Sequence, residues 1–341
     1  MQNLHLIQQL TAAPSACDLA EDDAYRLFCA MLDGGLPDLQ LGAVLTALRM
    51  KTEGVDELLG FYRALDERLY GLSSPALAVR PLVIPAYGGA RDQVNLLPLL
   101  GLLLQRLRVP VVFHGTLEGS GRAASAYILR EFGVVPSTRL SHAQSCLEQE
   151  RIVFLPTAVL CPGLAGLLAL RNQLGVRNSA HLVAKLIDPF RGAGVVMAAA
   201  SKPCHRDRMG AFFMATGACA LVMESTQGEP IANAHRRPRI EFFDQGERYL
   251  LFEQEAHTLK AVAGLPVSVD PAATAAWMRQ ALAGETPIPQ PIVNQLACCL
   301  YACGYTDDMN QAKAIAAVEA GSLAPNARPA ALLPRASAVA R

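Results

Sequence analysis

The sequence has few lysines, few aromatic residues and no long apolar run. Only five of its 30 basic residues are lysines, and aromatic residues make up 6% of the 341 residues. The longest apolar stretch, residues 94–104, is far too short to cross a bilayer. The first ten residues lack the basic region of a signal peptide. We therefore expect a cytoplasmic protein that makes no contact with a membrane.

An excess of either charge is also missing, and so is any CxxC motif. Thirty basic residues balance thirty acidic ones, so an attraction to nucleic acid or to acidic substrates must come from local clustering. The nine cysteines are odd in number and lack the spacing of zinc ligands. We expect free thiols in a reducing compartment and no metal site.

Apolar residues are plentiful, and they fall into two patterns. They make up 52% of the chain, which excludes a disordered protein and suffices for a large core. The first seventy residues are helical in pattern; for example, positions 24, 27, 28 and 31 share one helical face. Residues 71–81 have the composition of a linker. After it, short apolar runs at 82–84, 109–113, 152–155, 195–200 and 220–223 alternate with helical stretches.

This alternation predicts an α/β fold whose sheet is largely parallel and covered on both faces. Residues 239–252 predict antiparallel strands around a turn at 244–246, and helices are expected at 163–186, 274–282 and 291–301. We expect a small helical domain at 1–75, joined by helices from about 163–188, and a large α/β domain at 80–320. Residues 321–341, rich in alanine and proline with three arginines and no acid, predict a mobile basic tail.

Two glycine-containing segments follow predicted strands. Residues 86–98 contain Gly88 and Gly89 and lead into a helix, whose free N–H groups are a natural site for an anion. Residues 113–122 contain His114 and Arg122, at the strand end where an open parallel sheet places its ligands. An ordinary strand-to-helix turn would also explain the first segment, and a lone histidine is more often structural than catalytic.

Basic residues cluster in three further segments. Arg177, His181 and Lys185 are spaced four apart, so on one helix they would form a cationic stripe. The segments at 201–210 and 234–239 also follow the predicted strands. Such charge runs are most often solvated loops, but these could add to one positive surface. The basic residues of the last two segments that we consider are Lys202, Arg206, Arg208, Arg236 and Arg237.

Several segments, in order, resemble the anthranilate phosphoribosyltransferase and nucleoside phosphorylase superfamily (glycosyl transferase family 3). They are LQLGAVLTALRMKTEGVDELLGFYRAL, AYGGARDQVN, VVFHG, LGVRNSAHLVAKLIDP and ALVMEST. The resemblance covers nearly the whole chain. It implies a small helical domain and a large α/β domain with the substrate cleft between them, in a homodimer formed through the helical domains.

The motifs that carry catalysis in that superfamily are altered here. Gly-Thr-Gly-Gly-Asp is replaced by Ala-Tyr-Gly-Gly-Ala at 86–90, and Lys-His-Gly-Asn by Phe-His-Gly-Thr at 113–116. Asn95 is kept, but the Ser and Thr that hold the diphosphate appear as Leu97 and Pro98. The Asp-Glu pair that binds magnesium appears as Met223 and Glu224, or is lost.

These losses bear directly on activity. Displacing diphosphate needs magnesium and cationic groups that stabilise the leaving group. Losing one such group typically costs ~10²–10³ in rate, so losing several predicts little activity. By the resemblance, Arg177 matches the arginine that contacts anthranilate.

A diverged branch of the superfamily, the YbiB-like proteins, is still more similar in YGGARDQVN, GVRNSAH, AKLIDPF, QGEPIAN and QLACCL. This resemblance implies a homodimer that binds DNA or RNA nonspecifically through the backbone, with no cofactor and no metal. Tyr87 and Phe113 are the candidate aromatics for base stacking. The residues expected to bind phosphate or nucleic acid are Gly88, Gly89, Arg91, Asn95, His114, Arg122, Arg171, Arg177, Lys185, Lys202, Arg206, Arg208, Arg236 and Arg237.

Two alternatives remain. The first is an active phosphoribosyl or pentosyl transferase with an altered substrate, which would use His114, Arg177 and Glu224 with Mg²⁺ and phosphoribosyl diphosphate. The second is a protein-interaction module that uses the helical bundle. An assay for diphosphate release separates the first alternative from nucleic-acid binding.

Overall fold

The computed structural model describes residues 4–11, 18–117, 121–258 and 264–321. Apart from Gly321, the predicted basic tail at 321–341 lies outside the described residues. The chain begins with a helical region, whose helices end near the predicted positions. These helices are α1 (Leu4–Thr11), α2 (Glu21–Leu32), α3 (Asp38–Lys51) and α4 (Val55–Asp66). Helices α2 and α4 pack together through the stacked rings of Phe28 and Phe61, whose centroids are 4.7 Å apart.

A mixed sheet of seven strands forms the centre of the larger region. The strands are β1 (Leu82–Ala86), β2 (Val111–Gly115), β3 (Val153–Pro156), β4 (Val195–Ala200), β5 (Ala220–Glu224), β6 (Ile240–Asp244) and β7 (Glu247–Phe252). Strands β1 to β5 are parallel, β6 is antiparallel to β5, and β7 is antiparallel to β6. The α/β fold with a small N-terminal helical domain is therefore confirmed.

Helices cover both faces of this sheet. They are α5 (Leu97–Arg106), α6 (Ser125–Arg130), α7 (Leu140–Glu148), α8 (Thr157–Leu160), α9 (Pro162–Ala169), α10 (Arg171–Leu174), α11 (Ala180–Val183), α12 (Pro203–Thr216), α13 (Pro271–Ala283), α14 (Gln290–Ala302) and α15 (Met309–Glu319), with a 3-10 turn at Ala184–Leu186. Alternate strand residues face two hydrophobic cores. Val83 and Val112 face the core shared with the helical domain, and Ile84 and Phe113 face the core under α5 and α14.

The strand order is β3-β2-β1-β4-β5-β6-β7, so the direction in which strands are added reverses beside β1. In an open α/β sheet, ligands bind in the crevice outside the carboxyl ends of the strands at such a reversal. Here that crevice lies beyond the ends of β1 and β4. The glycine-containing segment after β1 and the basic segment after β4 therefore meet at one edge of the sheet.

The prediction of a continuous helix at 163–186 is wrong. Gly175 ends α10 in the left-handed conformation, with φ of 69°, and the side chain of Asn178 accepts a hydrogen bond from the Ala180 amide before α11 begins. Arg177 lies in the turn between these helices. It therefore does not share a helix with His181 and Lys185, and the three do not form the predicted helical stripe.

Two further observations concern the chain as a whole. In the segments that the structure describes, no helix has both the length and the apolar character needed to span a membrane. Eight cysteines fall in these segments, and all are free thiols. Cys299 and Cys303 are both buried, as their helical spacing predicts.

Candidate functional site

The crevice beside β1 is closed by a short turn that follows β5. We call residues 87–92 the glycine turn and residues 226–229 the closing turn. A Cβ added to Gly88 would lie 2.8 Å from the Gln227 carbonyl oxygen and 2.8 Å from the Gly228 carbonyl carbon, so only glycine fits there. The two turns are in direct backbone contact.

Side-chain oxygens of the closing turn accept hydrogen bonds from the main chain of the glycine turn. The Gly89 amide donates to Glu229 Oε1 over 2.7 Å. The amides of Arg91 and Asp92 donate to Gln227 Oε1 over 2.6 Å and 2.9 Å. Main-chain amides of one turn that converge in this way form an anion-binding concavity, and the intervening Ala90 amide donates to the Ala123 carbonyl oxygen instead. In this protein the chain itself supplies the oxygens that occupy the concavity.

Glu229 is buried within the crevice and is 2% exposed. Its Oε2 atom has no hydrogen-bond partner among the described residues. Burial raises the pKa of the Glu229 carboxyl, while the amides of Gly89 and Gly88 and the charges of Lys185 and Arg177 act in the opposite direction. A carboxylate held this deeply is stabilised mainly by nearby positive charge and amide donors.

Lys185 supplies one of these charges from the 3-10 turn after α11. Its Nζ is buried and donates to the Ala199 carbonyl oxygen over 2.7 Å, at the end of β4. Burial and the charge of Arg177 lower the pKa of Lys185 to about 8, and Glu229 opposes that shift. Lys185 is therefore mostly charged at neutral pH and compensates Glu229.

Two arginines, Arg122 and Arg177, lie against the two turns, and the charge of a third, Arg171, acts on Arg177. Arg177 Nη2 donates to the Tyr87 carbonyl oxygen over 3.4 Å, and Arg122 Nη1 donates to the Gln227 carbonyl oxygen over 3.0 Å. Burial lowers the pKa of Arg177, and repulsion from Arg171 and Arg122 lowers it further. The three guanidinium groups therefore give the crevice a positive potential.

His114 lies behind the crevice, at the end of β2. Its Nδ1 is 2.9 Å from the Tyr87 hydroxyl, which also accepts a hydrogen bond from Thr157 Oγ1 over 3.1 Å. Burial lowers the pKa of His114 to about 3, so the ring is neutral at physiological pH. The rings of Tyr87 and Phe113 are buried as well, so neither is available to stack on a base.

Asn95 and Arg91 have different environments. The buried Asn95 side chain donates from Nδ2 to Ser125 Oγ over 2.9 Å and accepts from the Leu97 amide over 3.1 Å. It thereby orders the start of α5. The Arg91 side chain is exposed, next to the amide that Gln227 holds.

The remaining predicted residues lie around the mouth of the crevice. Lys202 is exposed before α12, Arg206 Nη1 donates to the Ala200 carbonyl oxygen over 3.1 Å, and buried Nη1 of Arg208 has no hydrogen-bond partner among the described residues. Arg236 and Arg237 are already neutralised. They pair with Glu224 over 3.5 Å and with Glu255 over 3.6 Å, and Arg237 also stacks on Phe252.

Sequence reasoning missed the acidic residue of the crevice. It considered Glu224, which the structure places beside Arg236, whereas Glu229 is the carboxylate that meets the glycine turn. A carboxylate in the Gln-Gly-Glu-Pro segment, five residues beyond the end of a parallel strand, is the signal that could have identified it. Gln227 of the same segment was missed too.

The crevice does not fit a magnesium ion. Across the described segments, no three side chains of His, Cys, Asp or Glu are grouped so that they could hold a metal. Glu229 is influenced by the positive charges of Lys185 and Arg177, which would repel a divalent cation. The positive charges around Glu229 therefore do not favour the magnesium ion that the transferase alternative would need.

Comparison with known proteins agrees with this architecture. Residues 4–69 match the helical bundle domain of the glycosyl transferase family, and residues 85–322 match the a/b domain of that family. The chain is 42% identical over 290 residues to the uncharacterized protein YbiB of Escherichia coli (strain K12), covering 85% of this chain and 90% of that protein. It is 26% identical to anthranilate phosphoribosyltransferase of Geobacillus kaustophilus, covering 91% and 92%.

Solved structures show the same fold. Anthranilate phosphoribosyltransferase (TrpD) from Thermus thermophilus superposes with a TM-score of 0.74 at 24% identity, covering 92% of this chain and 94% of that chain. The Saccharomyces cerevisiae enzyme in complex with PRPP and Mg superposes with a TM-score of 0.70 at 12% identity, covering 94% of each chain.

Proposed function

We propose that this chain, which belongs to the glycosyl transferase family with a helical bundle domain and an a/b domain, binds the phosphate backbone of DNA or RNA nonspecifically and does not catalyse group transfer. The observation that carries the proposal is the mouth of the crevice. There, Arg91, Arg122, Arg171, Arg177 and Lys202 form no ion pair with a carboxylate of the described residues, whereas Arg236 and Arg237 do.

Unpaired cations that repel each other favour a polyanion. The charges of Arg171 and Arg122 both act on Arg177, and a phosphate placed among them would relieve that repulsion. A polymer offers one phosphate for each cation and releases its counterions when they bind. Contacts to the backbone carry no direct sequence information, which is why we propose nonspecific binding.

The hydrogen bonds already made within the crevice argue against phosphoribosyl transfer. Displacement of diphosphate requires a metal ion and free donors for the leaving group. The amides of Gly89, Arg91 and Asp92 are already bound to Glu229 and Gln227, and His114 is neutral and buried. The transferase alternative would use His114, Arg177 and Glu224, but Glu224 pairs with Arg236 outside this group.

We further propose that the chain forms a homodimer through the helical domain. An open apolar groove of about 850 Å³ runs between α1 and α3 and reaches Leu174. Leu39 and Met50 border it and are 87% and 81% exposed, which is unusual for large apolar side chains. A second copy of this chain would cover both, and a dimer would bring two positive crevices into one particle.

A filter-binding titration tests the proposed function. A 30-nucleotide single strand, its duplex and the matching RNA are each titrated at KCl concentrations from roughly 20 to 300 mM. Over this range the distance at which salt screens charges shortens from about 20 Å to less than 8 Å. We expect log affinity to fall linearly with log salt, with a slope of about −0.7 per neutralised phosphate for the single strand. Failure to retain any of the three at the lowest salt would reject the proposal.

Matched variants locate the binding surface. Arg91→Ala and Arg171→Ala should each weaken binding and reduce the salt slope by about 0.7 for the single strand and about 0.9 for the duplex. Arg106→Ala is the control, because this exposed residue ends α5, at the opposite edge of the sheet. An equal loss in the control would place binding elsewhere. In a parallel assay with phosphoribosyl diphosphate, Mg²⁺ and anthranilate, turnover that Arg177→Ala abolishes would favour the transferase.

A further inference from the structure

We infer that Glu229 acts as an internal substitute for a phosphate group and keeps the crevice closed to small phosphorylated ligands. This inference deepens the proposed function, since it assigns the residue that makes the protein select polymeric backbones over free phosphates. It concerns the inner crevice, whereas backbone binding is assigned to the cations at its mouth.

The first line of argument is the set of hydrogen-bond donors. A phosphate at a glycine-containing turn is held by consecutive main-chain amides. Here Glu229 Oε1 lies 2.7 Å from the Gly89 amide, and Gln227 Oε1 lies 2.6 Å and 2.9 Å from the amides of Arg91 and Asp92, while the intervening Ala90 amide donates to the Ala123 carbonyl oxygen. Two oxygens of one turn therefore satisfy three donors, as oxygens of a phosphoryl group would.

The second line of argument is charge. Glu229 is a buried carboxyl group whose Oε2 has no hydrogen-bond partner among the described residues. The positive charges of Lys185 and Arg177 act on it. A glutamine side chain has nearly the same shape and would fill this space equally well. What the carboxylate adds is a negative charge where a phosphate would carry one, and this charge repels an incoming anion.

The closing turn is a compact unit held by its own backbone. Thr226 and Glu229 exchange two backbone hydrogen bonds, each of 3.0 Å, so the four residues form a closed loop. Besides its contacts with the glycine turn, Arg122 Nη1 donates to the Gln227 carbonyl oxygen, and Gln227 Nε2 donates to the Gln93 carbonyl oxygen over 3.1 Å. A phosphate that enters the crevice must displace Glu229 and Gln227, and it would then bind the same amides.

Calorimetric titration with inorganic pyrophosphate tests this inference. Glu229→Gln keeps the shape and the Oε1 acceptor but removes the charge, so we expect its affinity for pyrophosphate to exceed that of the wild-type chain by about tenfold or more. The control is Glu224→Gln, which removes a carboxylate at the mouth of the crevice. It also releases Arg236 from its ion pair, but it should change the affinity by less than about twofold, because both side chains are partly exposed and their charges are screened.

A second variant tests the hydrogen-bonding part separately. Gln227→Ala frees the amides of Arg91 and Asp92 without changing the charge, so we expect a smaller rise in pyrophosphate affinity. Thermal unfolding of each variant establishes that it is folded. If folded Glu229→Gln binds pyrophosphate no better than wild type, or if Glu224→Gln gains as much, the inference is overturned.

The oligonucleotide titration separates this inference from the proposed function. Glu229→Gln should bind the 30-nucleotide strand within about threefold of wild type, because the cations at the mouth bind the backbone. If no variant binds oligonucleotides and Glu229→Gln still gains pyrophosphate affinity, the proposed function fails and the inference stands. If wild type binds oligonucleotides and Glu229→Gln gains nothing, the inference alone fails.

Discussion

Gly163 lies directly against Leu32, at the contact between helix α9 and helix α2. A Cβ added to Gly163 would be 2.3 Å from the Leu32 carbonyl oxygen, which is closer than real Cβ atoms come to any other atom. The contact joins a segment that follows β3 to the N-terminal helical domain. Glycine at this position therefore sets how closely the two parts of the chain approach.

Substitution in α9 tests this contact with a matched pair. Gly163→Ala should lower the free energy of unfolding by about 1–3 kcal/mol, because the methyl group forces the two helices apart. Gly166→Ala is the control, since its added methyl group would have no neighbour within 4 Å. It should raise stability by about 0.5–1 kcal/mol through better helix propensity. Urea unfolding measures both changes, and two equal changes would contradict the argument.

A double-mutant cycle tests the compensation between Lys185 and Glu229. Lys185→Met and Glu229→Gln each remove one of two buried charges that act on each other, so each should destabilise the chain by about 1–3 kcal/mol. The double variant should lose less than the sum, with a coupling of about 1–3 kcal/mol. Urea denaturation of the four proteins gives this value. In the control cycle, exposed Lys202→Met replaces Lys185→Met, and the two changes in unfolding free energy should simply add. If the changes also add in the first cycle, Lys185 and Glu229 do not interact.

The buried histidine predicts a dependence of stability on pH. Burial lowers the pKa of His114 from 6.5 to about 3, so between these values the unfolded chain binds a proton that the folded chain does not. The free energy of unfolding should therefore fall as the pH drops below about 6.5, with a slope approaching 1.4 kcal/mol per pH unit for this residue. Urea unfolding between pH 7 and pH 5 measures the slope above the range of most carboxyl groups.

Two variants test whether His114 causes this dependence of the unfolding free energy on pH. His114→Gln should reduce it by nearly one proton, whereas exposed His5→Gln should leave it unchanged. A remaining slope is expected from His181, because burial and the charge of Arg177 lower the pKa of that residue to about 3 as well. A slope that His114→Gln does not alter would show that the ring is protonated in the folded chain.

The exposed apolar residues of α3 predict the behaviour of the proposed dimer. Met50→Glu places a charge in the groove between α1 and α3, so it should shift the chain toward a monomer. Met214→Glu on α12 is the control, because this methionine is also exposed but lies away from the groove. Light scattering after gel filtration gives the mass of each. A wild-type monomer, or equal effects of the two substitutions, would contradict the proposed interface.

Much of the fold could be predicted from the sequence, because the spacing of apolar residues within one helix or strand shows which of its faces is buried. The apolar run at 195–200 became β4 without a shift, and the pattern at 21–32 became α2. The prediction of one helix at 163–186 was wrong because Gly175 ends α10 in the left-handed conformation. Helix propensities summed along the chain give too little weight to a single glycine of this kind. The signals for glycine turns are also local, so Gly88 and Gly89 could be identified from the amino-acid order alone.

The candidate site was predictable only in part. Its glycines and arginines were visible as residue types, but Glu224 and Glu229 lie only five positions apart, at the end of β5 and just beyond it. Nothing in the spacing tells which of them meets Gly89. His114 likewise stands at a strand end, where the order of strands predicts a ligand contact, and yet Tyr87 and Thr157 enclose it.

By itself, then, the amino-acid order determined which segments become helices and strands and which glycines permit close backbone contact, because those properties depend on neighbours in the chain. The tertiary structure alone decided which carboxylate lies in the crevice, which histidine is neutral and which cations lack counter-charges. These depend on contacts between segments more than a hundred residues apart, such as Gly89 with Glu229. Such contacts form only when the crossover from β3 to β4 brings the strand ends together.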